Sequence, residues 1–343
     1  MLSTASLSEL VTFEQNPENL APAAKRSLLA PPAGAISSVG EIFWNERELR
    51  AGWRLLIYLV LFFGLTTGGS VLALRLRLPF ATHNDVSPPG LLVEEVIMML
   101  AAFASATILG VLEGRPFGAY GLPRAAAFRR RFWQGILWGL AMITAMILLI
   151  RLLGGYSFGE EALHGPELWG YAAQWGLVFL CVGFFEEFMF RGYAQYTLSS
   201  GLGFWPAATM LSASFGALHL GNRGEDKVGA LSVFVIGMFF CLVLRRTGNL
   251  WFAVGLHAAF DWGETFLYSV PDSGIVAPGH LLNSSFHGPV WLTGGTVGPE
   301  GSVMAFVVVG VAALIFSRLY PPRGEEPQTR PYGGVLQQPG NDS

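Results

Sequence analysis

Eight apolar runs, each close to the length of a bilayer crossing, constrain this chain more than any other feature in it. About 20 apolar residues of helix cross the hydrocarbon core, and such runs fall at 55–74, 91–112, 132–153, 170–190, 204–220, 228–244, 250–268 and 302–320. They predict an all-α, polytopic membrane helix bundle with about eight transmembrane helices. Charge content agrees: 13% of the 343 residues are charged, whereas soluble domains carry about 25%.

Orientation follows from the basic residues. If the runs simply alternate, sixteen of the 21 Lys and Arg fall on one face, among them Arg50, Arg54, Arg129, Arg191 and Arg245. The other face has Arg75, Arg77, Arg151, Arg223 and Lys227. Both termini are therefore predicted to be cytoplasmic. The loop 269–301, which has no Lys or Arg and holds His280, His287 and Trp291, is predicted to lie outside. Residues 1–52 read as a cytoplasmic tail with no apolar signal segment. From about residue 39 it alternates Ile42, Phe43, Trp44 and Leu49 with Glu41, Glu46, Arg47 and Glu48, the pattern of an amphipathic helix on the membrane surface. Residues 53–320 form the membrane domain, and 321–343 read as a disordered cytoplasmic tail. A net charge of -3 argues against a nucleic-acid partner, and Cys181 and Cys241 lie inside apolar runs, where no disulfide or thiolate metal site can be read.

Within this apolar background a few polar residues stand out. Glu186, Glu187 and Arg191 end the fourth run. A carboxylate at membrane depth costs several kcal/mol unless it is paired or hydrated. Glu187 and Arg191 are four apart and share a helix face, while Glu186 points about 100° away. One acid can thus be held by arginine while its neighbour faces something else; the plainer reading is a buried ion pair with a spare acid. His219 ends Phe215-Gly-Ala-Leu-His219, and His257 opens His257-Ala-Ala-Phe-Asp261, again at four-residue spacing. A lone histidine on an apolar helix is commonly just a packed residue, but His257 with Asp261 presents an imidazole and a carboxylate together. A hairpin at 199–203 brings Glu186 and His219 to similar depth. Glu94 and Glu95 lack an arginine four residues on, Met99 standing there, and read as structural acids near the outer surface. Gly64, Gly68 and Gly69 read as close helix-packing positions.

These residues can perform hydrolysis. A glutamate in a low-dielectric site can act as general base on water. Two histidines and a carboxylate can hold zinc with an open position, or can activate water and stabilise an oxyanion without metal. The residues themselves leave both open.

The series EExxxR (Glu186, Glu187, Arg191), FxxxH (Phe215, His219) and HxxxD (His257, Asp261), in order on successive membrane helices, resembles the CPBP family. That family holds the Rce1-type CAAX-prenyl endoproteases and bacterial Abi-like membrane proteins. The resemblance covers about 168–268, with a weaker likeness at Tyr120-Gly-Leu-Pro-Arg124. It implies an intramembrane endopeptidase of a bacterial inner or plasma membrane, its cavity open to the cytosolic half of the bilayer, acting on a peptide or protein substrate that is lipidated or membrane-bound. Glu186 would be the water-activating base with Glu187 beside it, Arg191 its structural partner, and His219, His257 and Asp261 the rest of the site. Familiar members carry Asn at the last position. Asp261 is a better metal ligand than oxyanion donor, which tilts the resemblance towards a divalent metal, zinc, on Glu186, His219, His257 and Asp261. A non-catalytic immunity or scaffolding protein with the same fold is the alternative. A proton-coupled transporter fits less well, because no repeated halves are visible.

Overall fold

The computed structural model describes residues 27–30, 40–46, 48–80, 86–222 and 224–322. The tails read at 1–26 and 323–343, together with Arg47, His83 and Arg223, lie outside the described residues.

Among the described residues, eight long helices stand where the apolar runs predict them. They are α1 (Ala51–Arg75), α2 (Pro88–Glu113), α3 (Arg130–Leu152), α4 (Gly165–Leu202), α5 (Phe204–His219), α6 (Lys227–Thr247), α7 (Trp251–Trp262) and α8 (Val303–Leu319). The paired strands are a two-residue antiparallel ladder, Tyr156–Ser157 against Ser285–Phe286. Outward-facing Val60, Phe63, Leu137, Leu177, Leu231 and Leu314 are exposed, an apolar belt that only a lipid environment accommodates. The protein is an all-α integral membrane bundle.

Only α1–α4 and α6 are long and apolar enough to cross a membrane. α5, α7 and α8 have 16, 12 and 17 residues, and at about 1.5 Å per residue none reaches the roughly 30 Å of the hydrocarbon core. α7 explains why this is tolerated. It is an inner helix, buried at every residue from Trp251 to Asp261, and so never has to match the lipid thickness. Glycines admit it. A Cβ on Gly135 or Gly139 of α3 would strike the Phe252 or Leu256 carbonyl of α7, one on Gly255 would strike the Phe132 carbonyl, and one on Gly183 of α4 would stand 3.0 Å from the Val254 carbonyl. Backbones thus touch where side chains would normally keep them apart.

Three local expectations change. The stretch preceding α1 is a single helical turn, Gly40–Phe43, after which the chain folds back. Asn45 accepts the Glu48 N–H through its side chain at 2.8 Å, and Trp53 stacks on Phe43 with ring centroids 5.1 Å apart. Turn chemistry at Asn45 wins there over helical periodicity. Gly64 and Gly68 meet no neighbour, and of that trio only Gly69 packs closely, against Ile97. α4 stays helical through Ser199–Gly201 to Leu202, and the reversal into α5 is made at Gly203, whose φ of +83° suits glycine.

The arginine-rich end of the bundle carries a buried polar network. Glu113, at the C-terminus of α2, accepts hydrogen bonds from Tyr193 (2.6 Å) and Tyr120 (3.0 Å), and lies 3.6 Å from Arg54 and 3.8 Å from Arg115. Arg54 also reaches Glu48 at 3.0 Å and donates to Ser200 at 2.7 Å. At the opposite end the loop 269–301 folds back over the bundle. Leu281 N–H donates to the Phe266 carbonyl (3.0 Å), and the Trp175 indole to the Pro278 carbonyl (3.1 Å).

Candidate active site

The fourth helix is not uniformly α-helical. Phe188–Tyr193 form a π turn in which Gly192 leaves helical geometry (φ -86°, ψ -111°). Such turns widen a helix by one residue, and this one carries Arg191 into the protein. Arg191 is 3.3 Å from Glu187, as their spacing predicts. It therefore sits in the core, not among the basic residues of the arginine-rich face. Its guanidinium lies 4.4 Å from the Phe215 ring centroid and 5.4 Å from that of Phe240, an aromatic enclosure that favours a cation electrostatically. A Cβ at Gly237 would stand 2.6 Å from Arg191 Nη2, so glycine on α6 makes room for it.

The same two rings touch the histidines. Phe215 meets His219 edge-on with centroids 4.6 Å apart, and Phe240 stacks on His257 at 5.2 Å. Phe215, the first residue of the second motif, thereby links the arginine to one imidazole. His219 Nδ1 faces the Phe215 carbonyl at 2.9 Å. That contact assigns its proton to Nδ1 and leaves Nε2 as a lone-pair nitrogen.

His257 is the hub. Its Nδ1 is 2.9 Å from Glu187 Oε1, while Nε2 is 3.4 Å from both Glu186 Oε2 and Asp261 Oδ2. Sequence spacing paired this imidazole with Asp261 alone; the fold adds both glutamates from α4. The two acids differ in access: the Glu187 side chain is 0% exposed and that of Glu186 is 21% exposed. Glu186, His219, His257 and Asp261 all line one cavity of about 280 Å³, beside apolar Val178, Phe179, Val182, Val233 and Ile236. Among the described residues His219 makes no ion pair with the other three. It shares their cavity from a different helix, α5.

The cavity does not run towards the arginine-rich end. From the four motif residues it extends to Asp272, Ser273, Ile275, Ala277 and Glu300 of the loop 269–301, and to Leu91 and Glu95 of α2. The loop that bounds it is the one without Lys or Arg, 269–301. Glu95 was also misjudged from sequence: it faces the motif acids across the cavity. Its signal was present, an acid inside an apolar run, but its neighbours come from other helices and so no i+4 partner marks it.

A second group of acids adjoins the first. Glu264, Asp272 and Glu300 each bring a carboxylate oxygen within 4.8 Å of the others. Glu264 lies in a π turn, Gly263–Leu267, that continues α7 one turn past Asp261. Thr265 donates to Asp272 (3.0 Å), and Ser273 donates to Glu300 through N–H (3.1 Å) and Oγ (2.6 Å). Burial pushes the Asp272 carboxyl well above the usual range, with the charges of Asp261 and Glu300 adding to it. Burial likewise pushes Glu225, before α6, up to about 7 against the pull of the Asp226 N–H. These residues belong to irregular chain, and no periodicity reveals them.

Residues 168–263, a little over a quarter of the chain, match the family model described as type II CAAX prenyl endopeptidase Rce1-like. No curated protein matches the chain. The match spans α4 to the end of α7, the helices that supply Glu186, Glu187, Arg191, His219, His257 and Asp261, so this part of the protein is similar to the type II CAAX prenyl endopeptidases of the Rce1-like family.

Proposed function

We propose that the protein is an intramembrane endopeptidase that cleaves a prenylated, membrane-held protein by means of a glutamate-activated water. The observation that carries this reading is the unequal access of the paired acids: Glu187 is sealed against Arg191 and His257, while Glu186 opens on the cavity. Glu186 takes one proton of the water and the bare Nε2 of His219 accepts its other hydrogen, which aims the oxygen at the scissile carbonyl. Glu187 and Asp261 flank the two nitrogens of His257, and from the protonated ring Nε2–H can donate to the oxyanion as the carbon–oxygen bond forms. Glu186 then passes its proton to the departing amine as the carbon–nitrogen bond breaks. Asp261 orients His257 throughout, and the apolar wall from Val178 to Ile236 receives the lipidated segment. In this reading the arginine-rich face is cytoplasmic.

The donor set also suits zinc by its chemistry: two imidazoles and two carboxylates, one imidazole already in the tautomer that leaves Nε2 to a metal. His219, His257, Glu186 and Asp261 would hold it, and it would supply a more acidic water.

The test is cleavage of a prenylated CAAX peptide, with its unprenylated twin, by the purified chain in lipid nanodiscs. Glu186→Gln should abolish turnover, at least about a hundredfold, with expression and folding retained. Wild-type turnover in that variant would overturn the role of Glu186, and binding without cleavage by the native chain would favour a non-catalytic protein. Asp261→Asn separates the two forms of the site. A metal site loses about 10–100-fold in affinity or activity and responds to chelators, whereas a metal-free site keeps or gains activity and ignores them.

A further inference from the structure

Glu264 is 0% exposed, and neither of its carboxylate oxygens has a hydrogen-bond partner. Among the described residues no Lys, Arg or His forms an ion pair with Glu264, Asp272 or Glu300. An isolated buried carboxylate is among the costliest groups a protein can hold, and three converging ones repel each other as well. Protonation would remove the charge of Glu264 but would leave its buried carboxyl oxygens still without a hydrogen-bond partner.

The neighbouring contacts point the same way. Thr265 holds one oxygen of Asp272, and Ser273 holds one oxygen of Glu300 twice over. Each acid is thereby oriented with its second oxygen to spare. Gly298, whose φ is +103°, packs beside them. A Cβ there would collide with the Pro271 carbonyl oxygen and stand 3.3 Å from Glu264 Oε1. Glycine is thus needed at this corner of the loop, both for its backbone angle and for its lack of a side chain.

From this we infer that Glu264, Asp272 and Glu300 form a calcium site that clamps the loop 269–301 to the end of α7. The donors are oxygens only, which selects hard cations over zinc or copper. Oxygens about 2.3–2.6 Å from a common Ca²⁺ lie at most about 5 Å from each other, and the three ligand oxygens fall within 4.8 Å. Calcium also accepts irregular shells that include backbone carbonyls, whereas Mg²⁺ demands a near-octahedral cage at about 2.0–2.1 Å. The site is separate from the histidine constellation and does not depend on the proposed hydrolysis. It shares a wall with that cavity, however, so the ion sets the shape of the cavity's loop side.

The experiment uses the full-length protein in nanodiscs, stripped with chelator and returned to about 1 mM CaCl₂. Bound calcium is measured by elemental analysis after desalting, and the midpoint of thermal unfolding is recorded with and without the ion. One calcium per chain and a rise of several degrees are expected, with a smaller rise for MgCl₂. Asp272→Asn keeps the acceptor for Thr265 but removes the charge, and with Glu300→Gln it should lose both the ion and the rise. His219→Ala should keep both. No bound calcium and no rise in the native chain would overturn the assignment. So would an unchanged response in Asp272→Asn, or a response lost in His219→Ala and kept in Asp272→Asn, which would place the ion on the histidines.

Discussion

Glu113 and Glu264 are both buried carboxylates near helix ends, at opposite ends of the bundle, and their surroundings differ completely. Glu113 has two tyrosine hydroxyls at hydrogen-bond distance and two guanidiniums within 4 Å. Among the described residues Glu264 has acids for neighbours and no hydrogen-bond partner for either oxygen. One end of the bundle is neutralised by its own side chains. The other is complete only with a cation or bound protons. Basic residues are plentiful at the first end and missing from the loop 269–301 at the second, so the sidedness of charge that orients a membrane protein also decides which buried acids can be neutralised from within.

Substitutions at the two ends should therefore act with opposite sign. The largest effect is expected for Arg54→Ala, which takes a buried cation from Glu113, Glu48 and Ser200 at once and should cost about 3 kcal/mol or more, read as a lower unfolding midpoint in detergent. A neutral result would mean that Arg115 and the tyrosines suffice. Glu264→Gln, measured in chelator at neutral pH, should raise the midpoint, by about 1 kcal/mol, because it removes a buried charge that nothing compensates. A loss there as large as that of Arg54→Ala would erase the contrast between the ends. The smallest effect is on pH dependence. Glu225, facing Glu300, Asp226 and His219, titrates at about 7 in the folded chain, against 4.5 for an unburied glutamate. Such an acid binds more protons folded than unfolded, so its contribution is most favourable below about 4.5 and is lost as pH rises to about 7. Asp272 shifts in the same direction. In chelator, stability should fall across that window, and calcium should flatten the fall; a rise would contradict the assigned direction.

The parts of the molecule legible in the sequence are those governed by transfer free energy. Apolar runs of the right length had to be helices, and Glu186, Arg191, His257 and Asp261 were visible because charge is rare in such runs. α7 was readable as a helix but not as a short inner one, since the glycines that admit it, Gly135 and Gly139, lie over a hundred residues upstream. The π turns at Phe188–Tyr193 and Gly263–Leu267 leave no compositional mark. Without them neither the enclosure of Arg191 nor the placement of Glu264 could be foreseen. Glu95 was misread because a test for partners on its own helix cannot detect acids on α4 and α7. The loop acids Asp272 and Glu300 lie 28 residues apart in irregular chain, and only the fold brings them together.

The shortness of α7 also bears on how the protein is made. With His257, Asp261 and Glu264 within a stretch too short to span, α7 would enter lipid alone only at a cost of about 2.5–3.5 kcal/mol for a centrally placed aspartate. Its glycine seams and polar partners belong to α3 and α4, which leave the ribosome before it. α7 is therefore a passenger of the helices that precede it in translation, and the hub histidine, which carries Asp261 on its own helix, reaches Glu186 and Glu187 only when that late helix docks. Until then the chain in the membrane holds Glu186 and His219 but no assembled constellation, and the cluster around His257 is completed late in synthesis.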